Sequence, residues 1–166
     1  TMPVWASDSV ESDSPQLIKQ LRQRLLNIRG IYAEEDEILI TLGSQNALFI
    51  LGSIFSHTGK PVALEDPGFF GARNAFRMAG SKLVGVPIDS DGIIPSAIPD
   101  GCQLVFTTPS HQFPTMVTMS EKRRKDLLDA AVEKDFLIIE DDYEAEMNYV
   151  AQSSASMRSM DDTGRV

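Results

Sequence analysis

Short apolar runs that alternate with stretches of helical spacing constrain this chain more than any other feature. Glu37-Ile-Leu-Ile-Thr41, Pro61-Val-Ala-Leu-Glu65, Lys82-Leu-Val-Gly-Val86, Gln103-Leu-Val-Phe-Thr107 and Phe136-Leu-Ile-Ile-Glu140 read as strands. Between them, helices are expected over Ser44–Phe55, Phe70–Met78 and Ser120–Lys134. A further helix runs from Ser14-Pro15 to Gly30, opened by a capping hydroxyl and a proline at the first position, with Leu17, Ile18, Leu21 and Leu25 on one face. In the Ser44–Phe55 helix, Ala47, Leu48, Leu51, Ile54 and Phe55 should face inward. Strands interleaved with helices specify an α/β fold, a three-layer wound sheet that is mainly parallel. The unbroken run Phe136–Ile139 suits a strand buried on both faces.

Such sheets bind ligands beyond the carboxyl ends of their strands, which makes those ends the places to look for chemistry. The first is Gly43-Ser44-Gln45, where a strand turns directly into a helix. The leading amides of that helix lack internal partners and suit an anion such as phosphate, though many strand-to-helix turns look alike. The second is Glu65-Asp-Pro-Gly-Phe69-Phe70, where a ring in a cleft could stack on a flat heteroaromatic ligand, or both rings could fill core. The third is Thr108-Pro-Ser-His-Gln-Phe-Pro-Thr115, in which His111 is a proton carrier or, preferably, a donor that holds local backbone. The fourth is Glu140-Asp-Asp-Tyr143; with Glu144 and Glu146 its acids cluster, but no histidine stands at ligand spacing and no metal is expected.

Composition excludes several classes. A net charge of −9 and a pI near 4.6 argue against a nucleic-acid surface. The one basic cluster, Lys122-Arg123-Arg124-Lys125, is expected to be a solvated helix face. The lone Cys102 excludes an internal disulfide and reads as a small buried filler in a reducing compartment. No apolar stretch approaches the roughly 20 residues of a membrane span, and no signal peptide is evident, so a cytoplasmic location is expected. Residues 1–13 read as a polar arm, 14–150 as the domain, and 151–166 as a polar, aperiodic tail leading into a further strand at Val166.

Taken together, these strand-end phrases resemble the large domain of fold-type-I pyridoxal-phosphate aminotransferases of class I/II, and most closely the aminotransferase-like domain of MocR/GntR-type regulators. The resemblance rests on Glu65–Phe69, Thr108–Thr115 and Ile138–Tyr143 and covers about residues 14–150. It implies that Gly43, Ser44 and Gln45 hold the phosphate of pyridoxal 5′-phosphate and that Phe69 stacks on its ring. It also implies that Asp141 bonds the ring nitrogen, keeping it protonated, and that Tyr143 bonds the ring's phenolic oxygen. Phe113 stands where many relatives have Asn, so one contact to that oxygen is lost. In the family the Schiff-base lysine and the substrate-gripping Arg of the small domain lie farther along than Val166. The chain as it stands is therefore expected to be a catalytically inactive portion of its parent. That parent would exchange an amino group between an amino acid and a keto acid, as a homodimer. Alternatively, it is a MocR-type transcriptional regulator that uses the domain as an effector sensor. An acidic strand end such as 136–142 also occurs in phospho-acceptor receiver domains, but there about a hundred residues follow it.

Overall fold

The computed structural model describes residues 13–143 and 155–166. The expected polar arm (apart from Asp13), Glu144, Glu146, the domain boundary near 150 and the start of the tail lie outside the described residues. The chain divides into two units, Thr1–Thr41 and Leu42–Val166.

In the first unit, helix α1 spans Pro15–Gln20 and continues in wider π-type turns over Leu21–Leu26. Ser14 caps it, accepting the Leu17 amide, and Gly30 leaves it with φ at 70°. Ile18 is buried, but Leu17 is exposed. The strand expected over 37–41 does not form. Glu35–Glu37 is instead a 3-10 turn closed by reciprocal Glu34 and Glu37 caps. The Ile40 amide donates to Asp13 Oδ2 at 2.8 Å rather than to a neighbouring strand. Apolar alternation supplies a surface for pairing, but a strand exists only where a ladder partner is present.

The second unit is a sheet with helices on both faces. Its elements are α2 (Ser44–Ser56), β1 (Pro61–Asp66), α3 (Phe70–Met78), β2 (Lys82–Asp89), β3 (Gly92–Ile93), β4 (Leu104–Thr107), α4 (Glu121–Glu133), β5 (Leu137–Glu140) and α5 (Met157–Met160). Strand order is β3-β2-β1-β4-β5, with β2, β1, β4 and β5 parallel and only β3 antiparallel. Period-two alternation divides the core. Val62, Leu64, Leu104 and Phe106 face Leu48 of α2 and Ala72, Ala75 and Phe76 of α3. Ala63, Val105 and Ile138 face Leu127, Leu128 and Ala131 of α4, together with Met157. Burying each large apolar side chain contributes about 2 kcal/mol.

Several expectations change. Ile54 of α2 is 52% exposed, and Gly52 takes the inward position because Phe76 and Ala79 of the α3 region approach within 3.0 Å of where its Cβ would stand. Ile138 of β5 and the preceding Phe136 are buried, whereas Leu137 and Ile139 are only half-buried. Only β4 pairs with β5 among the described strands; on its other side Arg165 O accepts the Ile138 amide at 2.7 Å. The tail is not wholly aperiodic, since Ser156 caps α5 and Met157 is fully buried.

Candidate functional site

The carboxyl ends of β1, β4 and β5 and the amino end of α2 converge on a hollow of about 310 Å³. It is lined by Ser44, Phe69, Thr108, Phe113, Asp141 and Tyr143. Four of these carry roles assigned from the sequence. Ser44 is the first residue of α2, after Gly43 at φ 98°, a value that favours glycine. Gly43 and Gln45 are beside the hollow rather than in its wall. The Gln45 Nε2 group lies near Gly71, where an added Cβ would also strike the Phe69 ring.

Phe69 caps α3 in extended conformation, meets the edge of Phe113 at a centroid distance of 5.9 Å, and rests on the α2–α3 side of the core. Phe70 is exposed, so one ring faces the cleft and the other does not fill core. His111 is not in the wall. Its Nε2 lies 2.8 Å from Met116 Sδ. The Tyr143 hydroxyl donates to the His111 carbonyl at 2.9 Å. Among the described residues no group of His, Cys, Asp and Glu could hold a metal ion.

Sequence reasoning missed the support beneath this wall. Glu65 is 1% exposed, and its carboxylate accepts Thr107 Oγ1 at 2.5 Å, Thr108 N at 3.1 Å, Thr108 Oγ1 at 2.9 Å and Gln112 Nε2 at 3.0 Å. Gln112 Nε2 also donates to the Pro67 and Phe113 carbonyls, which holds the 108–115 loop against the β1 turn. The spacing of Glu65 and Thr107 at two strand ends is the signal that could have found this pair.

The basic cluster is likewise not a uniform solvated face. Arg124 is 1% exposed and donates to the Met119, Pro109 and Ala155 carbonyls, with Glu140 Oε1 3.6 Å away. Arg123 pairs with Asp89 at 2.8 Å and lies 3.7 Å from Asp91. Only Lys122 and Lys125 behave as expected, forming exposed i,i+4 pairs with Asp126 and Glu121. Helical periodicity places positions 123 and 124 toward the sheet even though charge alone suggests solvent. Cys102 is buried, and burial pushes its thiol pKa up, which suits an inert filler.

A hollow of about 680 Å³ lies within the first unit, but the guanidinium in its lining is already engaged. Arg22 is bonded to Glu34, Glu35 and the Ala33 carbonyl. The smaller hollow is the better site, because Asp141 stands in it without such partners. Among the described residues none donates to its carboxylate, and its pKa is raised by burial first and by the Glu65 charge second. A carboxylate beside two phenyl rings and below a helix amino end matches a flat cationic ring that carries an anionic arm. The residues present fit pyridoxal phosphate in these respects; no lysine is among the described residues of the wall.

No family model matches the chain. The chain is 38% identical over 161 residues to the HTH-type transcriptional regulator TauR of Rhodobacter capsulatus, covering 97% of this chain and 33% of that protein. An archaeal alanine:glyoxylate aminotransferase superposes with a TM-score of 0.82 at 33% identity, covering 92% of this chain and 40% of the other. Its fold is part of a fold-type-I aminotransferase large domain. The kynurenine aminotransferase of Pyrococcus horikoshii, solved in complex with PMP, superposes at 0.75 and 34% identity, over 90% of this chain and 38% of its own. Homologues of this aminotransferase-type domain are MocR/GntR-type regulators and pyridoxal-phosphate aminotransferases. The chain spans about a third of the length of the curated relatives it matches.

Proposed function

We propose that this chain is the cofactor-cradling portion of a pyridoxal-phosphate-dependent aminotransferase that exchanges an amino group between an amino acid and a keto acid. The observation that carries the reading is the convergence of Ser44, Phe69, Asp141 and Tyr143 on one hollow. The α2 amino end, with Gly43, Ser44 and Gln45 at its turn, would bind the phosphate, and Phe69 would stack on the ring. Asp141 would accept the ring N–H, and Tyr143 would donate its hydroxyl to the ring oxygen by turning it away from the His111 carbonyl. When bound, the cofactor supplies an electron sink for negative charge developing on the substrate. With no lysine in the wall, the described residues would hold it non-covalently.

A second reading, an effector-sensing domain of a MocR-type regulator, is favoured by the 38% identity to TauR along nearly the whole chain. Both readings place the protein in the cytoplasm as a homodimer, without a direct nucleic-acid contact by this segment. The absence of any described helix long and apolar enough to cross a membrane is compatible with that location. Exposed apolar side chains on and beside α2 (Leu42, Phe49 and Ile54) are available to a second copy.

Titrating pyridoxal phosphate into the purified chain and following tyrosine and cofactor fluorescence tests the cradle. Saturable binding that Asp141→Ala weakens is expected; no saturable binding would sink the reading. Sequencing the coding region upstream separates the two parents, since a basic winged-helix stretch there marks the sensor.

A further inference from the structure

Glu65 is a buried carboxylate with acceptor bonds to two hydroxyls, one amide and one carboxamide. All four donors are neutral, and among the described residues no cation pairs with its carboxylate. Arg73 reaches only the Glu65 backbone carbonyl, at 3.3 Å, and Asp66 at 3.6 Å. The cluster also connects to the hollow. Thr107 donates its hydroxyl to Glu65 at 2.5 Å, and its carbonyl accepts the Asp141 amide at 3.0 Å. Thr108, in the wall itself, donates to Glu65 twice.

We infer that Glu65 is a positioning residue that acts through Asp141: its charge, held behind the Thr107–Thr108 step, strengthens the grip of Asp141 on a protonated pyridine nitrogen. The inference rests on the cofactor reading above. A neutral glutamine would keep one of the two acceptor oxygens and turn the other into a donor, and only a carboxylate also adds a field that makes Asp141 more basic in low-dielectric surroundings. The neighbouring charges are placed differently. Glu140 of β5 is paired with Arg124 of α4 and with the amides of α5, and the positive end of α2 arrives with Ser44. The order of causes that raise the Asp141 carboxyl, burial and then Glu65, is consistent with this.

The test compares pyridoxal phosphate with its 1-deaza analogue, in which C–H replaces the ring nitrogen, on the full chain and its variants. The unaltered chain should prefer pyridoxal phosphate. Glu65→Gln should weaken pyridoxal phosphate about fivefold, the size of a screened charge–charge effect, and the analogue by less than about twofold. Equal weakening of both ligands would overturn the inference, because a purely structural Glu65 supports both alike. Thr107→Val removes one donor and keeps the charge, so the preference should hold or rise. A fall overturns the inference, and this arm decides if Glu65→Gln does not fold by circular dichroism. Equal binding of both ligands by the unaltered chain refutes the inference alone, whereas no binding of either refutes the cofactor reading beneath it.

Discussion

Glu140 and Asp141 are consecutive carboxylates at one strand end, yet they live in different electrostatic worlds. Glu140 is enclosed and bonded: it accepts the Met157 amide at 2.8 Å and the Arg158 amide at 3.1 Å and lies 3.6 Å from the buried Arg124 guanidinium. Asp141 faces the hollow, with no donor among the described residues. The pleat turns one side chain toward the α4–α5 layer and the chain's exit from the sheet turns the next toward the cleft. Identical chemistry thus serves architecture at one position and is left available for a ligand at the next.

Removing Arg124 should break the architectural half most severely. Arg124→Ala strands a nearly enclosed carboxylate and three carbonyls and should cost about 3–5 kcal/mol, read as a fall in the thermal midpoint. A loss below about 1 kcal/mol would mean that Glu140 and Arg124 are not truly coupled. Glu140→Gln keeps an acceptor but loses the charge facing Arg124 and the α5 amides. It should cost about 2 kcal/mol by chemical denaturation, with α5 more affected than the sheet in amide exchange.

Asp141→Asn tests the other half and should have the opposite sign. The folded chain holds the Asp141 proton more tightly than the unfolded chain does. Stability therefore falls as pH rises from the ordinary carboxylate range through the raised folded value. Asparagine removes that loss, so the variant should be the more stable at neutral pH, and its advantage should vanish on acidification below the ordinary range. The same variant should bind pyridoxal phosphate about tenfold or more weakly, the equivalent of one pKa unit of differential interaction. A destabilised Asp141→Asn chain at neutral pH would place Asp141 with Glu140 and end the contrast. The smallest effect belongs to Lys122→Ala on the outer face of α4, within about 0.5 kcal/mol, because its pair with Asp126 is exposed.

Legibility in the sequence followed what local pattern controls. Helix α3 runs over Phe70–Met78 as its periodicity implies, and β1, β4 and β5 begin within a residue of their apolar runs. The strand ends and the helix start that carry Ser44, Phe69, Asp141 and Tyr143 are legible in local pattern, whereas the choice of those residues within them comes from the family resemblance. Thr108 stands in the sequence only as part of a phrase, and of the Glu65 cluster only the strand-end positions of Glu65 and Thr107 are legible. Its bonds join positions more than forty residues apart, a relation that no local pattern encodes. The failed strand at 37–41 has the same origin, since pairing depends on a neighbour.

The sequence by itself determined the wound α/β character, the strand-end location of the site and the acidic, cysteine-poor class of the protein, because periodicity, turn residues and charge act over a few neighbours. Only the tertiary structure decided which charges are buried and bonded and which face a cavity. Arg124, Glu65, Glu140 and Asp141 differ not in kind but in the donors, acceptors and dielectric that distant segments bring to them.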